Sequence, residues 1–171
     1  MQVIRVHEFG GPEKLVAETA EKPEPKPGEV RVKVAAVGVN YVETYQRRGW
    51  YAIPLPAVLG GEFAGVVDAL GEGVTGFEIG QQVATTAGSG AYAEWALAPA
   101  AKLVPVPEGV SLEQAAALLL QGMTAHYLAI STFPLKEGDT ALVHAAAGGV
   151  GQLLVQIAKL RGARVIGTVS T

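Results

Sequence analysis

The chain has 171 residues, of which 49% are hydrophobic and 17% charged, and its 13 basic and 16 acidic side chains give a net charge of −3. This balance excludes a disordered chain and provides no basic surface for nucleic acid, and the length suits one domain or one domain plus part of a second. Because the chain contains no cysteine, disulfides, thiolate catalysis and cysteine-ligated zinc are excluded.

The start of the chain contains no export signal. Residues 1–8 lack an apolar core behind a basic start, and the longest strongly apolar stretch, residues 115–120, is far shorter than the roughly 20 residues of a membrane helix. We therefore expect a cytoplasmic protein with no membrane partner.

The first hundred residues are predicted to form short β-strands. In residues 30–39 three valines alternate with Arg31 and Lys33, which predicts a strand with one buried face and one wet face. A proline-rich connector over residues 23–28 precedes it. Strands at this spacing indicate a sandwich or distorted barrel. The other predicted strands cover residues 3–6, 15–18, 62–70, 82–86, 91–97 and 103–106.

Beyond residue 110 the pattern becomes helical and then alternates. Residues 111–114 form a capping-box signature that starts a helix, and a second helical stretch is predicted over about 124–131. Residues 140–145 are predicted to be a strand buried on both faces; a helix with an apolar stripe follows, and residues 164–169 return as a strand. The predicted fold is thus a β domain over residues 1–120, followed by the first βαβ unit of an α/β domain over 121–171.

A glycine cluster lies between the first strand and the helix of this unit. The run Ala146–Gly151 matches G-x-G-x-x-G except that Ala146 replaces the first glycine. Such glycines let the backbone approach a pyrophosphate, which binds to the N–H groups at the helix N-terminus. The alternative is a glycine-rich turn that only packs helix against strand.

The end of the second strand predicts which nicotinamide cofactor is bound. NAD-binding folds usually carry an acidic residue here for the ribose hydroxyls, whereas this chain has Ser170 and Thr171 and no acid after Asp139. Hydroxyls can donate to a 2′-phosphate, so the sequence favours NADPH over NADH. The cations Lys159, Arg161 and Arg164 are, taken singly, better explained as solvated surface residues.

A polar segment over residues 40–49 has two readings. Asn40 can cap a helix with Glu43 at its third position, and Gly49 can end that helix. Alternatively Asn40, Glu43 and Tyr45 line a polar pocket beside a cofactor.

Together these segments resemble the quinone oxidoreductase branch of the medium-chain dehydrogenase/reductase superfamily, which includes zeta-crystallin. The resemblance covers nearly the whole chain, and its most specific parts are Gln121-Gly122-Met123-Thr124-Ala125 and the run from His144 to Gly151. The other matching segments are residues 9–13, 37–45, 59–67 and 90–94.

The resemblance implies a GroES-like β-barrel domain, a Rossmann domain, and zinc-independent reduction of a quinone or enone by NADPH. Gly61 stands at a zinc-ligand position of the zinc-dependent relatives, and we expect no metal. The histidines His7, His126 and His144 have no metal-ligand spacing, and His144 is predicted to be a satisfied core residue.

The resemblance also assigns site residues. It places substrate positioning on Asn40 and Tyr45, where a donor can stabilise the negative charge that develops on a quinone oxygen. Its phosphate contacts fall on the glycine cluster, and its adenosine-phosphate contacts on Ser170 and Thr171. The cofactor contacts implied overall are Tyr41, Val42, Glu43, Thr44, Tyr45, Thr124, Tyr127, Gly148, Gly149, Val150, Gly151, Ser170 and Thr171.

Two departures and two alternatives accompany the resemblance. Glu43 replaces the aspartate usual in the family, and family members run to about twice this length, so we expect this chain to end within the nucleotide-binding domain. The alternatives to a quinone reductase are a 2-alkenal or enoyl reductase of the same superfamily and a non-catalytic fragment. The resemblance is also compatible with a homodimer of the intact protein.

Overall fold

The computed structural model describes residues 1–170, which divide into two units, Met1–Ala117 and the residues from Leu118 onward. The strands are β1 (Gln2–Val6), β2 (Val16–Thr19), β3 (Glu29–Gly38), β4 (Ala57–Val58), β5 (Glu62–Leu70), β6 (Gln82–Thr85), β7 (Trp95–Pro99), β8 (Val104–Pro105), β9 (Thr140–Val143) and β10 (Arg164–Gly167). The helices are α1 (Tyr41–Arg48), α2 (Leu112–His126) and α3 (Gly149–Leu160), with single turns at Pro12–Lys14 and Ala100–Lys102 and a π-helical turn at Tyr127–Thr132.

The first unit is built from two antiparallel sheets. A five-stranded sheet has the order β7-β3-β5-β6-β8, and a three-stranded sheet has the order β2-β1-β4. The long strands β3 and β5 pair from Val30↔Leu70 to Gly38↔Glu62, with two register shifts along the way. This arrangement confirms the predicted β-rich first domain.

The core of the first unit lies on one face of the five-stranded sheet. Val30 and Val32 of β3, Phe63 and Val67 of β5, and Val83 of β6 are each at most 1% exposed and form one cluster. Fully burying a side chain of this size stabilises a fold by about 1.5 to 3 kcal/mol. The three-valine alternation in the sequence therefore identifies the inner face of β3.

The other face of β3 is not exposed to solvent along its whole length, so that part of the prediction is wrong. Lys33 is exposed as expected, but Arg31 is only 9% exposed. Its Nη1 donates to the Pro23 carbonyl at 2.9 Å, and its Nε donates to Asp68 at 2.6 Å. The connector thus folds over Arg31, a contact between residues eight positions apart that strand periodicity does not encode.

The second unit contains a parallel pair of strands and the helix that connects them. β9 and β10 pair in parallel from Arg164↔Thr140 to Gly167↔Val143, and α3 joins them. Leu154, Ile157 and Ala158 on the predicted stripe of α3 pack in a cluster that includes Ala129 and Leu135. The βαβ unit is thus confirmed.

Two details of the second unit differ from the predictions. The predicted helix over about 124–131 is not separate, because α2 continues to His126 and runs into the π-helical turn. Strand β9 is not buried on both faces, since Leu142 is 58% exposed. Within residues 1–170 the only strand beside β9 is β10. Ala141 of β9 packs against residues of α3, and Leu142 lies on the opposite face of the strand.

Candidate functional site

The start of α1 brings together one amide and two buried carboxyl groups. The Asn40 backbone N–H donates to Glu43 Oε2 at 2.5 Å, and the Asn40 amide Nδ2 donates to Glu62 Oε2 at 2.7 Å. Glu43 is 5% exposed and Glu62 is 2% exposed. A reciprocal capping box between Asn40 and Glu43 starts the helix, so the capping prediction is confirmed. The link to Glu62 aims the Asn40 amide towards strand β5.

Burial raises the pKa of the Glu43 carboxyl above its ordinary value of 4.5, and nearby Glu62 acts in the same direction. Hydrogen bonds from the backbone of Asn40 and Gly61 and from the Tyr92 hydroxyl, 3.4 Å away, partly oppose this rise. The pKa of Tyr92 rises to about 12, because the phenol is buried and its anion would face Glu43. Tyr92 therefore remains protonated and serves as a donor to Glu43.

Because the folded-state pKa of Glu43 is raised, its ionisation stabilises the unfolded chain more than the folded one. The stability that Glu43 contributes is complete below its unfolded pKa and is lost as the pH rises through the folded pKa. We therefore expect Glu43→Gln, which keeps the capping box, to raise the Tm by a few degrees at pH 7 and by much less at pH 4.5. Thermal unfolding followed by circular dichroism at both pH values checks this.

The matched control is Glu72→Gln, at an exposed glutamate of a turn. It removes the same charge, but from a carboxylate that is already in contact with water. It should leave the Tm unchanged at both pH values. A Glu43→Gln variant that is less stable than the original chain at pH 7 would contradict the electrostatic account of this site.

Aromatic rings surround Tyr45 on the outer side of α1. The Tyr45 ring stacks on Trp50, with centroids 5.4 Å apart and planes at 25°, and meets Tyr41 and Tyr51 edge-on at 5.4 and 5.5 Å. Tyr41, Trp50 and Tyr51 are exposed, while Tyr45 is half-buried between them. Tyr45 is thus packed against three aromatic rings. Two of them, Trp50 and Tyr51, directly follow Gly49 and were not predicted as site residues.

The remaining candidates of the first unit are two residues of the first turn of α1. Val42 is exposed, and the Thr44 hydroxyl donates to the Tyr41 carbonyl at 2.7 Å. The hydroxyl group of Thr44 therefore donates its hydrogen bond within the helix. Glu62 and Tyr92 were missed by the sequence reasoning, because they come from strands or loops 22 and 49 residues away from their partners.

In the second unit, the glycine cluster covers the end of the loop between β9 and α3 and the first residues of α3. The Ala145 carbonyl accepts the Gly148 N–H at 2.8 Å and closes a turn in which Ala145 has a φ of 51°. A left-handed conformation costs a residue with a Cβ about 1 kcal/mol, so the loop holds Ala145 in this geometry against its preference. Gly148 is the N-cap, and no side chain caps this end of α3 within residues 1–170.

The loop and helix border a cavity of about 390 Å³. Its lining includes the exposed His144, whose Nδ1 lies 3.0 Å from the Thr168 hydroxyl, together with residues of the glycine cluster. The prediction that His144 is a core residue is wrong, because β9 ends at Val143. The N-terminus of α3 carries roughly half a positive charge, and first-turn N–H groups bind anions. The end of the cavity at the first turn of α3 therefore suits a phosphate group, while Leu128, Leu142 and Leu154 make other parts of the lining apolar.

The helix can approach the loop after β9 only because position 151 is glycine. A Cβ on Gly151 would lie 2.3 Å from the Ala145 carbonyl oxygen and 2.8 Å from the Ala146 Cα. The third glycine of the motif thus permits close packing of α3, while Gly148 and Gly149 are exposed. Both readings of the glycine cluster, packing and phosphate binding, are compatible with this geometry.

The other predicted cofactor contacts of this unit lie on α2, the π-helical turn and the chain end. The Thr124 hydroxyl donates to the Leu120 carbonyl at 2.7 Å, and Tyr127, at the start of the π-helical turn, is 59% exposed. Ser170 is exposed after β10, and Thr171 lies outside the described residues. The cavity lining thus includes none of Thr124, Tyr127 and Ser170, although Leu128 of the π-helical turn and Leu154 of α3 contribute to it.

No group of three or more His, Asp or Glu side chains in residues 1–170 is placed to hold a metal ion. No helix in that part of the chain has the length and apolar character that crossing a bilayer requires.

Comparisons with known proteins agree with this architecture. Residues 26–108 match the family described as the alcohol dehydrogenase GroES-like domain. The chain is 47% identical over 170 residues to a quinone oxidoreductase of Pseudomonas aeruginosa and 45% identical over 174 residues to a 2-haloacrylate reductase of a Burkholderia species. These alignments cover 98% and 97% of this chain and 52% of each relative, so the chain spans about half the length of the curated relatives it matches.

Solved structures match over the whole chain. A mycobacterial protein complexed with NADPH is 48% identical with a TM-score of 0.97, and the Escherichia coli quinone oxidoreductase complexed with NADPH is 41% identical with the same score. Each match covers 100% of this chain and 53% of the other. A GroES-like domain followed by a βαβ unit with a glycine-rich loop is the arrangement of the medium-chain dehydrogenases/reductases. Within that superfamily, the chain is similar over its whole length to quinone oxidoreductases.

Proposed function

We propose that this chain supplies the GroES-like domain, residues 1–120, and the first part of the NADPH-binding domain, residues 121–171, of a zinc-independent NADPH:quinone oxidoreductase in the cytoplasm. The observation that carries the proposal is the uncapped N-terminus of α3 beside a 390 Å³ cavity, in a chain 41 to 48% identical to two proteins solved with NADPH. The bound cofactor would supply the hydride that reduces the quinone.

In the second unit, we assign the pyrophosphate to the backbone N–H groups of Gly149, Val150 and Gly151 in the first turn of α3, beside the N-cap Gly148, whose own N–H donates to the Ala145 carbonyl. These groups lie at the positive end of the helix dipole, and exposed glycines leave the backbone open to a phosphate oxygen. Ser170 and Thr171 are assigned to the adenosine 2′-phosphate, since hydroxyls donate to phosphate and neither residue repels it. Thr124 and Tyr127 are the remaining cofactor contacts proposed in this unit.

In the first unit, we assign the nicotinamide side of the cofactor and the quinone to the first turns of α1. Glu43 fixes the start of the helix, and Asn40 is aligned by Glu62 and so acts as a positioning residue. The Tyr45 hydroxyl is the donor we assign to the quinone oxygen as it becomes negative, because its ring is held by three aromatic neighbours. The other contacts proposed here are Tyr41, Val42 and Thr44.

The test is a calorimetric titration of the purified chain with NADPH at low salt, with NADH as the control ligand. We expect saturable binding that is at least fivefold tighter for NADPH. The variant Ser170→Asp should weaken NADPH binding and leave NADH binding nearly unchanged, because a carboxylate repels the 2′-phosphate and accepts from ribose hydroxyls. Equal affinity for both cofactors, or no binding at all, would contradict the assignment of the phosphate site.

One relative supports a second candidate activity. The Burkholderia protein named 2-haloacrylate reductase is almost as similar to this chain as the bacterial quinone oxidoreductase. An enone or enoyl reductase would use the same cofactor site and the same positioning residues. A panel of quinones and α,β-unsaturated carbonyl compounds, assayed with NADPH, separates the two activities.

A further inference from the structure

Trp50 is held in place by the backbone that ends α1. Gly49 adopts a left-handed conformation with a φ of 77°, which a side chain would disfavour, and turns the chain back over the helix. The N–H groups of Trp50 and Tyr51 then both donate to the Tyr45 carbonyl, at 2.9 and 3.3 Å. The indole therefore occupies a set position relative to Tyr45, although most of its surface is in water.

The exposure of this ring is unusual for its size. Trp50 is 64% exposed and Tyr51 56% exposed, while Tyr45 beneath them is half-buried. A structural role would favour burial of an indole, and a rigid group of exposed aromatic rings is typical of a binding surface. The rings of Tyr45, Trp50 and Tyr51 together form an aromatic platform.

We infer that Trp50 determines specificity by ring area, because its indole packs against the planar ring of the electron acceptor. This inference rests on the proposed function for the class of acceptor. Tyrosine and tryptophan rings are electron-rich at their faces, whereas the two carbonyl groups of a quinone make its ring electron-poor, so the two surfaces attract. A fused aromatic ring extends the overlap, and a small enone lacks it.

The guanidinium of Arg48 lies 5.2 Å from the centroid of the Trp50 ring. Arg48 is exposed, so the contact is weak and is replaced when an acceptor stacks on the indole. Removal of this guanidinium is therefore expected to leave acceptor affinity unchanged or to increase it, which is opposite in direction to removal of the indole.

The experiment measures dissociation constants of the 171-residue chain for 1,4-benzoquinone, 1,4-naphthoquinone and 9,10-phenanthrenequinone by difference absorbance. The absence of cysteine removes thiol adducts as an interference. We expect affinity to increase with the number of rings. Trp50→Leu should weaken phenanthrenequinone binding about fivefold and benzoquinone binding less than twofold, and Trp50→Tyr should restore part of the loss.

Two further variants serve as controls, each checked for folding by circular dichroism. Trp95→Phe removes the other tryptophan, which lies on β7 under the Lys22 ammonium, and should leave all three constants unchanged. Arg48→Gln should not weaken binding. Equal constants for Trp50→Leu and the original chain, no quinone binding at all, or a loss in Arg48→Gln as large as in Trp50→Leu would overturn the inference.

A parallel NADPH titration separates this inference from the proposed function. If NADPH binds and the Trp50→Leu variant keeps the same preference among quinones, the inference fails while the proposed function stands. If NADPH does not bind but quinone affinity depends on Trp50, the cofactor assignment fails and the role of Trp50 in quinone binding stands. A Trp50→Leu variant that loses NADPH rather than quinone affinity would assign the indole to the nicotinamide and overturn the inference.

Discussion

Gly151→Ala is expected to destabilise the second unit by about 3 kcal/mol, and Gly122→Ala to stabilise it by about 1 kcal/mol. The added methyl group at position 151 would lie 2.3 Å from the Ala145 carbonyl oxygen, so α3 must move away from the loop. At position 122, within α2, a methyl group meets no atom of the described residues within 4 Å, and alanine favours the helix. The same chemical change therefore has opposite effects at two glycines of one unit.

Native-state hydrogen exchange is the measurement suited to this prediction, because the chain has two units and a single unfolding midpoint would mix them. Amides of α3 and β9 should lose protection in Gly151→Ala and gain it in Gly122→Ala, while amides of β3 and β5 stay unchanged. NADPH affinity should fall at least tenfold in Gly151→Ala, because the loop and the helix N-terminus no longer align. Unchanged protection of α3 in Gly151→Ala would contradict the close approach seen here.

Asp68→Asn is expected to destabilise the first unit by about 2 kcal/mol at pH 7. The Asp68 carboxylate accepts from Arg31 Nε at 2.6 Å and lies 2.8 Å from the Lys22 ammonium. Burial alone would raise the pKa of this carboxyl, but the hydrogen bonds from Lys22 and Arg31 outweigh burial and lower the pKa from 3.8 to about 2. The neutral amide loses both charge-assisted hydrogen bonds. The largely buried Arg31 then keeps only one carboxylate partner, the exposed Glu24.

The sign of the pH dependence follows from the lowered pKa. The stability that Asp68 contributes is present above pH 4 and is lost as the pH falls from about 4 to about 2, which amounts to about 2 kcal/mol for a shift of this size. Urea unfolding between pH 7 and pH 2, followed by circular dichroism, should show a smaller loss on acidification in Asp68→Asn.

Glu8→Gln is the matched control for Asp68→Asn. It removes a carboxylate that also pairs with a lysine, Lys14, but at an exposed position where solvent screens the pair. Its unfolding midpoint should equal that of the original chain at every pH. An Asp68→Asn variant with the acid sensitivity of the original chain would rule out the ion-pair account.

Local patterns predicted much of this fold. The alternation of valines located β3, and the spacing of Asn40, Glu43 and Gly49 located α1, because capping and strand periodicity involve residues within a few positions of each other. The glycine cluster likewise marked the loop before α3. Boundaries were less accurate, as in the predicted break before residue 124, where α2 continues through Gly122 to His126.

Contacts between distant residues could not be predicted in this way. Nothing near Arg31 in the sequence indicates that Asp68 and the Pro23 carbonyl cover it, and nothing near Asn40 indicates that Glu62 aligns its amide. The aromatic platform was missed for another reason. Tyr45 was identified, but the left-handed turn at Gly49 that brings Trp50 back onto it was read only as the end of a helix.

The pairing of β1 has a consequence for folding during synthesis. The Ile4 N–H donates to the Tyr92 carbonyl, and Val3 bridges to Ala93, 90 residues later in the chain. At 5 to 20 residues per second, a ribosome needs roughly 5 to 20 seconds to make that distance. During this interval β1 lacks one of its partners. The nascent chain thus depends on slow, non-local closure, whereas the βαβ unit can form from neighbouring residues.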